Sequence, residues 1–135
     1  MMYYLIQWTW GIIMNLIGLC VYTFAKIRKW PIKRYRKAIE IICPSNKIGG
    51  VSLGMFIMRG VNQEQVMAHE YGHTIQNLRF GPAFLFAIGI PSFIRCGYYT
   101  LMRNKKTLKP YDSIWFEGQA TSLGHAANCE VWSWL

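Results

Sequence analysis

The sequence predicts an α+β protein made of one small domain and an N-terminal membrane segment. Three observations carry this prediction: an uncharged apolar N-terminus, two short segments rich in Ile, Val and Phe, and a helix that contains an H-E-x-x-H motif. A chain of 135 residues has room for one domain and an anchor, since domains take about 100 to 200 residues. Charged residues make up 16% of the chain. Soluble domains usually have about 25%, so part of the chain is expected to contact lipid.

The first 25 residues contain no charged side chain. As a single helix they would exceed the roughly 20 residues needed to cross a hydrocarbon layer. We therefore predict a transmembrane or membrane-interface helix over residues 1–25, followed by a domain over residues 26–135. Small and polar side chains share one face of this helix, and two interpretations stay open: packing against protein, or incidental polarity in lipid. These residues are Gln7, Gly11, Asn15 and Gly18.

The net charge of +9 is concentrated directly after the apolar segment. A basic cluster in this position indicates contact with anionic membrane lipid and predicts a single-pass protein whose C-terminal domain lies in the cytoplasm. The sequence has no nucleic-acid module signature, so we expect membrane lipid and a peptide or protein substrate as partners, and no nucleic acid. The juxtamembrane segment 26–37 holds Lys26, Arg28, Lys29, Lys33, Arg34, Arg36 and Lys37.

Two strands are predicted after the basic segment, at Lys37–Cys43 and Val51–Met58, with a loop rich in Pro and Gly between them. Apolar residues alternate along the second strand, as they do in a strand with one buried face. The pattern is compatible with a short β-hairpin packed on the motif helix. It is equally compatible with a free edge at Val51–Met58 on which an extended peptide could pair.

The motif helix is delimited by signals at both ends. Asn62 as N-cap and Gln65 three residues later form a capping-box pattern, and Gly81–Pro82 is a stop signal. These signals predict a helix over Gln63–Leu78. Apolar residues recur within it at helical spacing and predict the face that packs on the core. They are Val66, Met67, Tyr71, Ile75 and Leu78.

The H-E-x-x-H motif occupies residues 69–73. His69 and His73 are four residues apart, so their imidazoles project side by side from one face and can bind one metal ion. Glu70 lies one position further round the helix, where its carboxylate can act on a water molecule without being a ligand. The arrangement is typical of a hydrolytic zinc site with Glu70 as catalytic base.

A third metal ligand is required, since hydrolytic zinc sites usually have three protein ligands. The candidates are Asp112, Glu117, His125 and Glu130. We favour Glu117, because the small Ala120 one turn later would let its helix approach the motif helix closely; His125 is the next choice. A donor for the oxyanion is also required, and the sequence leaves Tyr98, Tyr99, Tyr111 and His125 open.

We expect helices in the two remaining segments, one on each side of residues 103–109. Phe80–Met102 is apolar but broken by Gly and Pro, and only fifteen uncharged residues separate Arg79 from Arg95. This length favours a core helix or a segment that dips into the membrane over a second span. In the final segment, Pro110–Leu135, either Asp112 or Ser113 could cap a helix, and we predict that this helix carries the third ligand.

Short stretches along most of the chain form a further pattern. They are Leu5–Gly11, Ser52–Phe56, Tyr71 with Thr74–Gln76, Phe80–Pro82, Ile88–Ser92, and Trp115–Glu117 with Ala120 and Gly124. Together with the H-E-Y-G-H motif they resemble a family of small, uncharacterised bacterial membrane proteins with a gluzincin-like metallopeptidase core. The stretch 118–121 departs from that family's pattern.

The resemblance implies a minimal zincin-like fold with His69, His73 and Glu117 as zinc ligands and Glu70 as base. The function expected from these observations is that of a membrane-anchored, zinc-dependent metallopeptidase. Hydrolysis of a non-peptide amide is a related alternative. The alternative from another class is a non-catalytic membrane adaptor in which any metal is structural or vestigial.

Overall fold

The computed structural model describes residues 1–45, 48–102 and 114–128, and within them it has an α+β fold, as predicted. The fold consists of helices and one mixed four-stranded sheet. The helices are α1 (Met2–Thr9), α2 (Ile12–Ile27), α3 (Met67–Phe80), α4 (Ile90–Met102) and α5 (Trp115–Asn128). The strands are β1 (Ile32–Tyr35), β2 (Ala38–Cys43), β3 (Gly50–Leu53) and β4 (Phe56–Gly60). The basic run 103–109, Tyr111, Asp112, Ser113 and Glu130 lie outside the described residues.

The prediction of one continuous N-terminal helix is wrong. α1 and α2 meet at 94°, with the break at Trp10 and Gly11. Within the described ranges no single helix has the length and apolarity to cross a membrane, although the bent pair meets those criteria jointly. The bend has a local cause, because the Asn15 side chain lies inside the corner and donates hydrogen bonds to the Gln7 carbonyl at 2.6 Å and to the Gly11 carbonyl at 3.1 Å.

The polar strip of the N-terminal segment packs against protein, which decides between the two interpretations of it. Gln7 and Asn15 are fully buried. Gln7 Nε2 donates to the Thr74 carbonyl at 3.2 Å, and its Oε1 accepts from Asn77 Nδ2 at 2.7 Å. Asn15 Oδ1 accepts from the Met55 backbone N–H at 2.7 Å. The N-terminal helices are therefore bonded to both α3 and the sheet, while a domain boundary at residue 25 stays a prediction.

The sheet differs from the predicted hairpin. The stretch Val51–Met58 turns back on itself at Gly54, whose φ of +67° is readily adopted by glycine, and forms the antiparallel pair β3–β4. β2 pairs with β4 in parallel, and the strand order is β1-β2-β4-β3. β1 arises from the basic segment and pairs with β2. β3, and not the whole of Val51–Met58, is thus an edge of the sheet.

The motif helix forms close to its predicted place. A 3₁₀ turn at Glu64–Val66 leads into α3, which begins at Met67 and not at Gln63. Asn62 is therefore not the N-cap, and the predicted capping box is wrong. Gln65 Nε2 donates to Gln63 Oε1 at 2.8 Å. Gly81 caps the C-terminal end of α3 with a φ of +54°. The Trp10 ring occupies the space that a Cβ atom on Gly81 would need. The predicted apolar face is confirmed at Met67, Tyr71 and Ile75, which pack with β2, β4 and α5. Val66 and Leu78 are half-buried.

The segment after α3 begins with a 3₁₀ turn at Gly81–Ala83 and a π-helical stretch at Leu85–Gly89 before α4. Pro91 is the second residue of α4, directly after the π-helical stretch, and it cannot donate a backbone hydrogen bond to that stretch. Phe84 and Ile88 are buried in a cluster with Met14 and Phe116. This side packs on the core as predicted, and a dip of the segment into a membrane stays a prediction.

α3 and α5 cross at small residues. A Cβ on Gly72 would lie on the Ala120 carbonyl oxygen, and a Cβ on Gly124 would lie on the Ala68 carbonyl oxygen. The two backbones are therefore in direct contact, as the small residue after Glu117 predicted. This crossing places residues 117–121 against the H-E-x-x-H motif.

Candidate metal centre

His69, His73 and Glu117 converge at the crossing of α3 and α5. His69 Nε2 lies 3.1 Å from Glu117 Oε2, and His73 Nε2 lies 3.4 Å from the same oxygen. The three ligand atoms all lie within 4.8 Å of one another. Glu117 is 0% exposed, His73 is 6% exposed and His69 is half-buried. The structure therefore brings together the three side chains that the sequence predicted as metal ligands.

The other ring nitrogen of each histidine is occupied by a side chain. His73 Nδ1 lies 2.7 Å from Gln76 Oε1, which can only accept, so Nδ1 is the donor and Nε2 is left to bind a cation. His69 Nδ1 lies 2.8 Å from Thr121 Oγ1. Partners of this kind fix the orientation of ligating imidazoles in metal sites.

Three further hydrogen bonds hold Gln76 and Glu117 in place. Gln76 Nε2 donates to the Phe116 carbonyl at 2.8 Å and to Gln119 Oε1 at 3.0 Å, so its amide oxygen must face His73. Ser92 Oγ donates to Glu117 Oε1 at 2.6 Å and leaves Oε2 directed at the two rings. Two residues of the stretch 118–121, Gln119 and Thr121, thus bond to the α3 side of the site.

The donor set fits Zn²⁺. Two imidazole nitrogens and one carboxylate oxygen are typical ligands of a catalytic zinc. In a tetrahedral site with bonds of about 2.0–2.2 Å, neighbouring ligand atoms are roughly 3.3–3.6 Å apart. The two distances to Glu117 Oε2, 3.1 and 3.4 Å, are close to this spacing. The chain can therefore hold a metal ion on these residues, while the identity of the ion stays a prediction.

The electrostatics of the cluster stabilise a negative charge on Glu117. Burial alone would raise its pKa, but hydrogen bonds from His69, His73 and Ser92 outweigh burial, and the pKa lies far below its usual value. For His73, burial alone would lower the pKa, but the bond to Glu117 and the nearby charges of Glu70 and Glu117 raise it overall. A cation is therefore favoured between these groups, whether it is a proton or a metal ion.

Glu70 is buried beside the cluster and faces a cavity of about 310 Å³. Burial raises the pKa of the Glu70 carboxyl, and the two histidines and a backbone hydrogen bond from Ser52 oppose that shift only in part. The polar wall of the cavity consists of Glu70, His73, Ser92 and the β3 residues Gly50 and Ser52. The rest of the lining is apolar: Met14, Ile17, Val51, Leu53, Phe84, Leu85, Ile88, Ile90 and Phe93, with Gly89.

The secondary candidates are not part of the cluster. His125 is exposed, eight residues after Glu117 on α5, so the structure does not place it among the ligands. Tyr98 is 51% exposed on α4. Tyr111 and the side chain of Tyr99 lie outside the described parts of the chain. Tyr111 and His125 stay predictions for the oxyanion donor.

Three residues that hold the ligands were missed by the sequence analysis: Gln76, Thr121 and Ser92. Gln76 is three residues after His73 and Thr121 is four residues after Glu117, so helical spacing alone could have identified both. Ser92 has no such signal, because it reaches Glu117 from another element across 25 positions.

Comparison of the chain with protein-family models, with curated proteins and with solved structures finds no match. The gluzincin-like resemblance therefore stays a prediction, and the functional argument depends on the site itself.

Proposed function

We propose that this protein is a zinc-dependent hydrolase, a metallopeptidase, that works at a membrane. The observation that carries the proposal is the convergence of His69, His73 and Glu117, with Glu70 beside them at the wall of a cavity. Two histidines on α3 and a carboxylate on α5 would leave one side of such a site open to a reactant.

The metal and the protein would contribute different parts of the chemistry. When bound, Zn²⁺ supplies Lewis acidity that polarises a carbonyl and lowers the pKa of a water molecule toward ~7. Glu70 accepts the proton of the attacking water and delivers it to the leaving amine. Burial raises the pKa of the Glu70 carboxyl, which favours uptake of a proton from water. The lining of the cavity beside Glu70 is largely apolar.

The edge strand β3 supports a peptide as substrate. Among the described residues β3 pairs with β4 on one side and with no strand on the other, and its residues 50–53 all line the cavity next to Glu70. An extended peptide could add to such an edge through main-chain hydrogen bonds, with little demand on its side chains. The Ser52 hydroxyl is buried at this edge and has no hydrogen-bond partner among the described residues. A peptide backbone aligned on β3 would bring its carbonyls past the metal ligands.

The proposal is tested by Glu70→Gln, which retains the shape of the side chain but removes its basicity. Zinc content should be unchanged, because Glu70 is not a ligand, while cleavage of casein or of a peptide library should fall by about 10²–10⁴-fold. Glu64→Gln is the matched control. Glu64 is an exposed carboxylate six residues earlier whose described side-chain partner is Arg59, at 3.4 Å, so this variant should retain activity.

Undiminished activity in Glu70→Gln would reject Glu70 as the base. The result also addresses the adaptor alternative. A membrane adaptor with a structural metal would keep its zinc and show no hydrolysis in the wild type, and its partner binding would not depend on Glu70.

A further inference from the structure

The outer face of α2 is apolar. Its buried side consists of Met14, Asn15, Gly18 and Ala25. A surface helix of a soluble protein exposes charged and polar residues on the opposite side. Among the residues of α2 before Lys26, Thr23 has the one exposed hydroxyl. This hydroxyl donates to the Leu19 carbonyl of the same helix at 2.8 Å. The exposed apolar side chains are Ile12, Ile13, Leu16, Ile17, Leu19, Phe24 and Ile27.

A second exposed apolar surface lies on the segment from Pro82 to Ile94. Phe86 is 70% exposed, Phe93 is 76% exposed and Ile94 is 65% exposed. Phe84 and Ile88, on the other side of the same segment, are buried. The segment is therefore apolar on both sides, although one side has no covering within the described structure.

The cavity beside Glu70 joins these two surfaces. Met14 and Ile17 of α2 line one wall, and Leu85, Ile90 and Phe93 line another. We call α2 together with residues 82–94 the apolar face. Single exposed apolar residues are common on soluble proteins, but a continuous surface of this kind marks an interaction site. The candidate active site thus opens within the apolar face and not on a polar surface.

Exposed basic residues border the apolar face at the end of α2. The Arg28 guanidinium lies 5.9 Å from the ring centre of Phe24, which is itself 51% exposed. Lys26 Nζ lies 5.7 Å from the ring centre of Tyr22, and Lys29 is exposed beside them. Exposed aromatic and aliphatic side chains with cations at their border match the acyl region and the anionic headgroups of a bilayer.

We propose that the apolar face inserts into one leaflet of an anionic membrane, so that the cavity admits an apolar peptide segment directly from the lipid. The 94° bend between α1 and α2 is compatible with a helix that lies in the leaflet. A second copy of the chain is a less suitable occupant. Each copy has a net charge of +9, with 15 basic and 6 acidic residues, so two copies repel each other whereas an anionic membrane attracts the chain.

The docking is tested by flotation of the full-length protein with vesicles of phosphatidylcholine, with and without phosphatidylglycerol. The wild type should float with the vesicles, more strongly when the anionic lipid is present. The double variant Phe86→Ser, Ile94→Ser changes two exposed side chains that do not line the cavity, and its partition coefficient should fall by about tenfold or more. Val61→Ser is the matched control, because Val61 is 44% exposed but lies before α3 and outside the apolar face.

The route by which a substrate enters the cavity is tested with one apolar peptide, which is supplied either in vesicles or in solution. This step rests on the proposed hydrolase function. The double variant should lose cleavage of the vesicle-bound peptide about tenfold or more while it cleaves the dissolved peptide at the wild-type rate. Equal cleavage of the vesicle-bound peptide by both proteins would overturn entry from the lipid.

Other outcomes separate docking from catalysis. Vesicle binding needs neither metal nor Glu70, so Glu70→Gln should float like the wild type. Flotation without hydrolysis of any peptide would reject the proposed function and retain the docking. A wild type that does not float, or one that forms a dimer in solution that the double variant dissociates, would overturn the docking.

Discussion

The two helix pairs of this protein use polar residues in the same way but differ in what they present outward. α3 and α5 bury His73, Gln76 and Glu117, and each is bonded to another side chain of the site. α1 and α2 also bury polar groups, Gln7 and Asn15, but leave their large apolar side chains exposed. In both pairs hydrogen bonds between polar side chains fix the geometry inside. The difference shows that the high apolar content of the chain lies on its surface as well as in its core.

The largest loss of stability is expected where α3 and α5 touch. Gly72→Ala places a methyl group on the Ala120 carbonyl, and neither backbone can move without separating the helices. The free energy of unfolding should fall by about 3–5 kcal/mol, measured by denaturant titration with circular dichroism. Gly97→Ala is the control, because Gly97 is exposed in α4 with nothing near a new Cβ. It should be neutral or stabilise by up to ~1 kcal/mol, and equal losses in both variants would refute the close crossing.

A smaller loss is expected for the polar strip of the N-terminal pair. Asn15→Leu removes the acceptor of the Met55 N–H and the donor to Gln7, and the groups left behind are buried. The free energy of unfolding should fall by about 2–4 kcal/mol, since unsatisfied buried groups keep their desolvation cost. Its neighbour Leu16 is 51% exposed, and Leu16→Gln should change unfolding by less than ~0.5 kcal/mol. If Leu16→Gln were the more damaging change, the assignment of inner and outer faces would be reversed.

The smallest effect is expected for a residue that acts on the metal through a ligand. Gln76→Ala removes the acceptor of His73 Nδ1 and should weaken zinc binding by about 10–100-fold with little change in the circular dichroism spectrum. A competitive chelator titration measures this affinity. Gln65→Ala is the control, because Gln65 is exposed before α3 and should leave the affinity unchanged. Unaltered affinity in Gln76→Ala would show that Gln76 does not orient the ligand.

The sequence predicted the metal ligands because their positions follow from helical spacing and from the small residues of the crossing. His69 and His73 are one turn apart on one helix, and Ala120 indicated the close approach of the helix that holds Glu117. The sheet was harder to predict, because a single Gly54 inside an alternating pattern gives little sign of a turn. The parallel pairing of β2 with β4 is equally hidden, since it joins segments that are distant in the chain.

The N-terminal bend could not be predicted from the apolar run alone. Nothing in the composition around Gly11 distinguishes a break from a continuous helix. The decisive contacts are made by side chains, one local and one distant: Asn15 bonds to Gln7 inside the corner, and Gln7 bonds to Asn77 of α3, 70 positions later. Ser92 was missed for the same reason, because its partner Glu117 belongs to another element.

The most direct test of the central claim is the zinc content of purified protein, measured for the wild type, Glu117→Ala and His125→Ala after dialysis against zinc-free buffer. The two variants change residues of the same helix, one buried against both motif histidines and the other exposed. We predict one zinc ion per chain in the wild type and in His125→Ala, and little or none in Glu117→Ala. Full zinc content in Glu117→Ala, or its loss in His125→Ala, would contradict a centre formed by His69, His73 and Glu117.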